Sequence, residues 1–98
     1  MLARNLMNAY KMMRALGLVR SKRDYSRRWL GRGQTYLRDY ELRGRDFVQV
    51  PAATVTRLRS RLRAVADRVP AGIRTEIEAV IATIDQGTAV ADLLARRG

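Results

Sequence analysis

The sequence contains neither cysteine nor histidine. The first absence excludes disulfides, thiolate zinc sites, iron–sulfur clusters and cysteine nucleophiles. The second removes the commonest general base and metal ligand, so no metal or cofactor is expected and the chain is not read as an enzyme. Lysine is scarce as well: Lys11 and Lys22 are the only two, and arginine carries the rest of the positive charge. There is no long apolar run. The N-terminal M-L-A-R-N-L-M-N-A-Y-K-M-M-R is interrupted by Arg4, Asn5, Asn8 and Lys11, and so offers neither the hydrophobic region of a signal peptide nor a membrane span. The expectation is a soluble, cytoplasmic protein with no membrane partner.

What is present is enough for one core. With 98 residues, 47% of them hydrophobic, the chain reads as a single small domain that needs no metal or disulfide to fold. Its formal net charge is +11, and the excess is unevenly placed. Residues 1–67 carry 16 basic and 5 acidic side chains, whereas residues 68–98 balance Arg68, Arg74, Arg96 and Arg97 against Glu76, Glu78, Asp85 and Asp92. A genome-wide preference for arginine would not concentrate charge in two thirds of a chain. The asymmetry points to a polyanionic partner, nucleic acid ahead of an anionic membrane surface.

Wherever a hydrophobic period can be read it is close to 3.6, which predicts an all-α fold. Leu2, Leu6, Tyr10 and Met13 mark a first helix ending at Gly17. Ser21 followed by Asp24 resembles a capping box opening a second helix that runs to about Leu30, with Tyr25 and Trp29 sharing one face. Gly31-Arg32-Gly33 forms a turn, and a third helix restarts near Gln34, buries Leu37 and Tyr40, and ends at Gly44. Asp46 to Val50 is a connector, and Pro51 is placed in the first turn of a fourth helix with the stripe Val55, Leu58, Leu62 and Val65. After a turn at Val69-Pro70-Ala71-Gly72 comes a fifth stripe, Ile73, Ile77, Val80, Ile81 and Ile84. Asp85-Gln86-Gly87 is read as its stop, and Thr88 as the cap of a short last helix carrying Val90, Leu93 and Leu94. The expected architecture is a compact domain of five or six helices. Residues 1–67 form its basic core, and residues 68–98 a C-terminal helical extension of the same domain that is a candidate dimerisation element.

Two short helices joined by a glycine-containing turn, the second held by buried apolar residues, have the arrangement of a helix-turn-helix. Here the sequence resembles the phage-repressor and Cro-like (Xre-type) helix-turn-helix superfamily. Ser21-Lys22 stand at the start of the motif, Tyr25-Ser26 at its apolar-small pair, Gly31 in the turn, Leu37 at the buried recognition-helix position, and Glu41 with Gly44 near the end. V-P-A-A-T-V-T-R-L-R-S-R-L is similar to the helix that packs behind it, so the resemblance covers roughly residues 5–67. Two departures stand out. Ser26 to Gly31 is one residue longer than the usual spacing, so the first helix or the turn must absorb an extra residue, and Gly33 replaces the expected serine cap. The run G-L-V-R-S-x-x-x-Y-S-R-x-W-L-G-R-x-x-x-Y-L also looks like a family of short uncharacterised bacterial proteins.

The superfamily resemblance implies a sequence-specific, double-stranded DNA-binding transcriptional regulator, phage-related or a small repressor, nucleoid-associated in the cytoplasm. The helix near 34–43 would enter the major groove. Gln34, Thr35, Tyr36 and Arg38 are then the base-reading candidates: Gln suits adenine, Arg suits guanine, and the Thr methyl suits the thymine methyl. Lys22, Arg23, Arg32, Arg43 and Arg45 are placed for phosphates, as are Arg57 and Arg61 on one flank of the fourth helix. Core packing is the preferred role for Tyr25, Trp29, Leu37 and Tyr40. A homodimer through the C-terminal helices would present two recognition helices to a palindromic site. Two alternatives remain open: an architectural, nucleoid-type protein that binds DNA by charge and shape, and a non-catalytic protein–protein adaptor.

Overall fold

The computed structural model describes residues 1–44 and 48–97, with the side chain of Arg97 left out. Five helices account for the regular structure of these residues. They are α1 (Ala3–Ala15), α2 (an α-helical turn, Lys22–Asp24, running on as a π-helical segment, Tyr25–Trp29), α3 (Tyr36–Leu42), α4 (Ala52–Ala66) and α5 (Ala71–Arg97). The Cα radius of gyration, 13.1 Å, is that of one compact domain of about 100 residues.

The helical period decides which faces are buried. Along α1, Ala3, Leu6, Ala9, Tyr10 and Met13 return every three or four residues and face inward, and the chain leaves the helix at Gly17. The expected cap of α2 is formed: Ser21 Oγ accepts from the Asp24 amide at 3.1 Å, while Asp24 Oδ2 accepts from the Arg20 amide, also at 3.1 Å. Tyr25 is fully buried between α1 and α2, its ring 5.3 Å from that of Tyr10 and its hydroxyl donating to the Leu6 carbonyl at 3.0 Å. Burial raises the pKa of this phenol far above the ordinary tyrosine value. At the other end of α1, the N-terminus pairs with the segment before α4: the Ala3 amide donates to the Val48 carbonyl and the Val50 amide to the Met1 carbonyl, each at 2.8 Å. Asp46 of the expected connector, with Arg45 and Phe47, lies outside the described residues.

α5 packs along both α1 and α4. Leu58 and Leu62 of α4 and Ile77, Val80, Ile81 and Ile84 of α5 belong to one buried cluster, each large side chain contributing roughly 1.5–3 kcal/mol. On the surface Arg59 grips Asp85 through two hydrogen bonds of 2.8 and 3.1 Å, which hold the Asp85 carboxyl below the usual carboxylate range.

Several boundaries differ from the sequence expectation. Pro51 caps α4 from outside the helix rather than opening its first turn, and Ala71 and Gly72 already belong to α5. Val65 is only half-buried, and Thr54 and Ala66 join the inward stripe of α4. Ile73, at the free start of α5, is 46% exposed. The main correction concerns Asp85-Gln86-Gly87, which does not stop a helix. α5 runs straight through it, 27 residues in all and about 40 Å long at 1.5 Å per residue, and there is no separate last helix. Thr88 is not an N-cap either; its hydroxyl donates back to the Ile84 carbonyl at 3.0 Å. The physical reason is that Gly87 is a packing notch. A Cβ there would lie 2.8 Å from Asn5 Nδ2 and 3.2 Å from Asn5 Cβ, so the bare backbone is what lets α1 approach. A contrast between two helical glycines follows. Gly72→Ala, with open space around it, should stabilise the protein by about 0.4–1 kcal/mol, whereas Gly87→Ala should gain less, because the Asn5 side chain must move to admit the methyl group. Thermal melts followed by circular dichroism decide the matter, and an equal rise in both variants would refute the notch.

Candidate nucleic-acid interface

α3 has only seven residues, too few to hold its own shape in water, so its position is set by what it rests on. Leu37 is completely buried, and its amide donates to the buried Ser26 hydroxyl of α2 at 3.2 Å. Tyr36 and Tyr40 pack edge to face with ring centres 5.1 Å apart and share a 3.0 Å hydrogen bond between hydroxyls. The Arg32 guanidinium lies 5.5 Å over the Tyr36 ring while its Nε donates to Thr54 Oγ1 of α4 at 2.9 Å. Lys22 Nζ meets Glu41 Oε2 at 2.7 Å. α3 is thereby tied to α2 near its start, through Leu37, and near its end, through Glu41, while Arg32 of the turn links its first residue to α4.

The chain between α2 and α3 reaches this position through two irregularities. Within the π-helical segment the Leu30 amide donates to the Tyr25 carbonyl, five residues back, at 3.0 Å. A π-helical turn takes up one residue more than an α-helical turn. Gly31 then adopts a φ of +65°, the left-handed region that favours glycine, and the Arg57 side chain of α4 lies over the space a Cβ would take. α3 begins at Tyr36 rather than near Gln34, which leaves Gln34 and Thr35 in the turn just before it.

Between the end of α1, the start of α2 and the outward side of α3 lies an open cleft of about 600 Å³. Gln34, Thr35 and Arg38 line it from the α3 side, together with Glu41, and Lys22 and Arg23 line it from α2. Three base-reading candidates and two phosphate candidates therefore share one concavity. Arg14, which was not a candidate, joins them from α1, where its Nη1 donates to the Tyr10 hydroxyl at 3.1 Å and to the Arg20 carbonyl at 2.9 Å. Helical spacing from Tyr10 was the one signal that could have placed it there.

The other candidates are elsewhere. Tyr36 is half-buried between Tyr40 and Arg32 and does not line the cleft. Arg43 sits with Asp39 on the other side of α3. Arg32 and Arg57 flank a concavity at Gly31, and Arg61 shares a groove between α2 and α4 with Arg28 and the edge of Trp29. Arg45 lies outside the described residues. Trp29 is 9% exposed, and Tyr25 and Leu37 are fully buried, so all three serve the core, with Tyr40 half-buried beside it. Arg27 and Arg28, also missed as candidates, extend the basic surface along the outside of α2, where Arg23 adjoins both them and the cleft. Arg28 faces Asp24 at 3.3 Å, an i,i+4 pair that the sequence spacing does allow. No three carboxylates among the described residues gather as a metal site would need, and none of their helices is long and apolar enough to cross a membrane.

Residues 6–95 match a family of unknown function (DUF6626), and the chain belongs to that family across nearly its whole length. No curated protein and no solved structure matches it.

The Ser26 hydroxyl is the buried link between α2 and α3. Ser26→Ala should cost about 1–3 kcal/mol, because it leaves the Leu37 amide buried without an acceptor. Denaturant unfolding measures the loss, and a cost no larger than that of a surface substitution would show that α3 is held by other means.

Proposed function

We propose that the protein is a sequence-specific, double-stranded DNA-binding transcriptional regulator that inserts α3 and the turn before it into the major groove. The observation that carries this proposal is the shared cleft, in which Gln34, Thr35 and Arg38 stand beside Arg14, Lys22 and Arg23. Side chains able to read base edges and side chains able to neutralise phosphates thus face the same open space. Recognition helices meet bases through their N-terminal residues. Gln34 and Thr35 precede the first turn of α3, and Arg38 lies one turn beyond Gln34.

Around the cleft, Arg27 and Arg28 on α2, Arg32 and Arg57 near Gly31, and Arg61 on α4 provide cations for the sugar–phosphate backbone. The Arg32 contact to Thr54 joins the turn to α4, so backbone contacts through α4 would also fix the pose of α3. Such a protein would act on genomic DNA, in association with the nucleoid. The exposed Val90, Leu93 and Leu94 at the far end of α5 are the surface through which we propose that two copies pair, since this part of the chain carries no excess charge. Sedimentation should show a dimer at tens of micromolar protein that Leu93→Glu dissociates, and a monomer both free and on DNA would exclude it.

Binding should be strongly salt-sensitive. With about four to six phosphates neutralised, log affinity should fall against log salt with a slope of roughly −4 to −5. Arg38→Ala should cost about 1–3 kcal/mol on the preferred site and relax its sequence preference. Truncating Arg57 and Arg61 should instead weaken all duplexes alike and make the slope shallower. Titrations on a selected and a scrambled duplex separate these outcomes. Equal losses on both duplexes for Arg38→Ala and Arg57→Ala would transfer support to an architectural role, and absence of binding at low salt would leave the adaptor.

A further inference from the structure

Glu41 is the single carboxylate among the described residues that line the cleft, where it faces the combined charge of Arg14, Lys22, Arg23 and Arg38. Its partner is Lys22 at 2.7 Å, across 19 residues of chain, and both side chains remain accessible, 32% for Glu41 and 45% for Lys22. An ion pair this open to water contributes little to folding. Its position matters more than its strength. Lys22 is one of the cations nearest the proposed reading face, and in the free protein its charge is already answered.

We infer that Glu41 is a specificity-determining residue of this cleft, one that opposes binding to arbitrary sequence and accepts a hydrogen bond from a cytosine amino group on the preferred one. The inference rests on the DNA-binding proposal above. A phosphate that recruits Lys22 must take it from Glu41, and the carboxylate released is then desolvated within a polyanion's field, which is unfavourable. On guanine and thymine it finds only acceptors and is repelled, and on adenine the amino donor is flanked by the N7 acceptor. A cytosine presents its N4 amino group to the major groove, and a carboxylate is the matching acceptor. Discrimination thus arises from a repulsive element that one kind of sequence relieves, rather than from attraction alone.

Asp39 supplies an internal control. It belongs to the same short helix and carries the same charge, but it accepts from Thr35 Oγ1 at 3.3 Å and lines the opposite side with Tyr36, Tyr40 and Arg43. The experiment compares the wild type, Glu41→Gln and Asp39→Asn on a random-sequence duplex and on a duplex selected by the wild type, with melting curves to establish folding. Glu41→Gln should bind the random duplex about three- to tenfold more tightly, steepen the salt slope by about one as Lys22 is freed, and lose a cytosine preference in selection. Asp39→Asn should change each of these by less than about twofold. In a Lys22→Gln background, Glu41→Gln should no longer alter the slope. Equal gains for the two variants would overturn the inference, because only net charge would then matter, and so would unchanged or weaker binding of the random duplex by Glu41→Gln. A wild type that binds neither duplex at low salt would overturn the DNA-binding proposal itself, whatever the variants do.

Discussion

The 3.2 Å hydrogen bond from the Leu37 amide to the Ser26 hydroxyl, made where both residues are buried, determines where α3 lies, and the cleft exists because α3 lies there. A seven-residue helix has no independent stability. Among the described residues, α3 is oriented by Ser26 of α2 below it, by Arg32 of the turn, which links its first residue to Thr54 of α4, and by Lys22 of α2 beside its last turn. Gln34, Thr35 and Arg38 could not face the same space as Lys22 and Arg23 if α3 were rotated by half a turn, since Leu37 would then be the residue exposed.

α2 is in turn a product of the core. Tyr25 fills the space against α1 and satisfies its hydroxyl on the Leu6 carbonyl, while Trp29 and Leu30 close the same cluster. α5 extends the support by packing on both α1 and α4, which keeps the helix that carries Arg57 and Arg61 fixed relative to the helix that carries Arg14. Charge and packing are divided along the chain accordingly. The balanced C-terminal third supplies the longest apolar face, and the basic two thirds wrap the edges of that scaffold with cations. An excess of like charge lowers stability through self-repulsion, and the buried Leu and Ile contacts between α4 and α5 offset it.

Much of this order was legible in the residues. α1 and α4 follow from apolar spacing, and the cap of α2 from Ser21 and Asp24, because these are local effects that need no knowledge of neighbours. Gly87 was misread for the opposite reason. A glycine that ends a helix and a glycine that admits another helix look identical in sequence, and only the contact with Asn5, 82 residues away along the chain, separates Gly87 from Gly17, which does adopt positive φ. The cationic character of residues 1–67 was evident from composition, yet its distribution over the surface was not. The pairing of Lys22 with Glu41 and the withdrawal of Tyr36 behind Arg32 both depend on how α2, α3 and α4 meet. Arg14 was missed because its spacing of four from Tyr10 marks only which neighbour it shares a helix face with, and not that α2 and α3 meet that face.

The most direct test of the central claim is an amide chemical-shift titration of the protein with a short DNA duplex at low salt. If the α2–α3 cleft is the DNA-binding face, the largest changes will fall on Lys22, Arg23, Gln34, Thr35, Arg38 and Glu41, with smaller ones near Arg57 and Arg61, and the buried face of α5 will be unmoved. Changes confined to α5, or none at any duplex concentration, would contradict it.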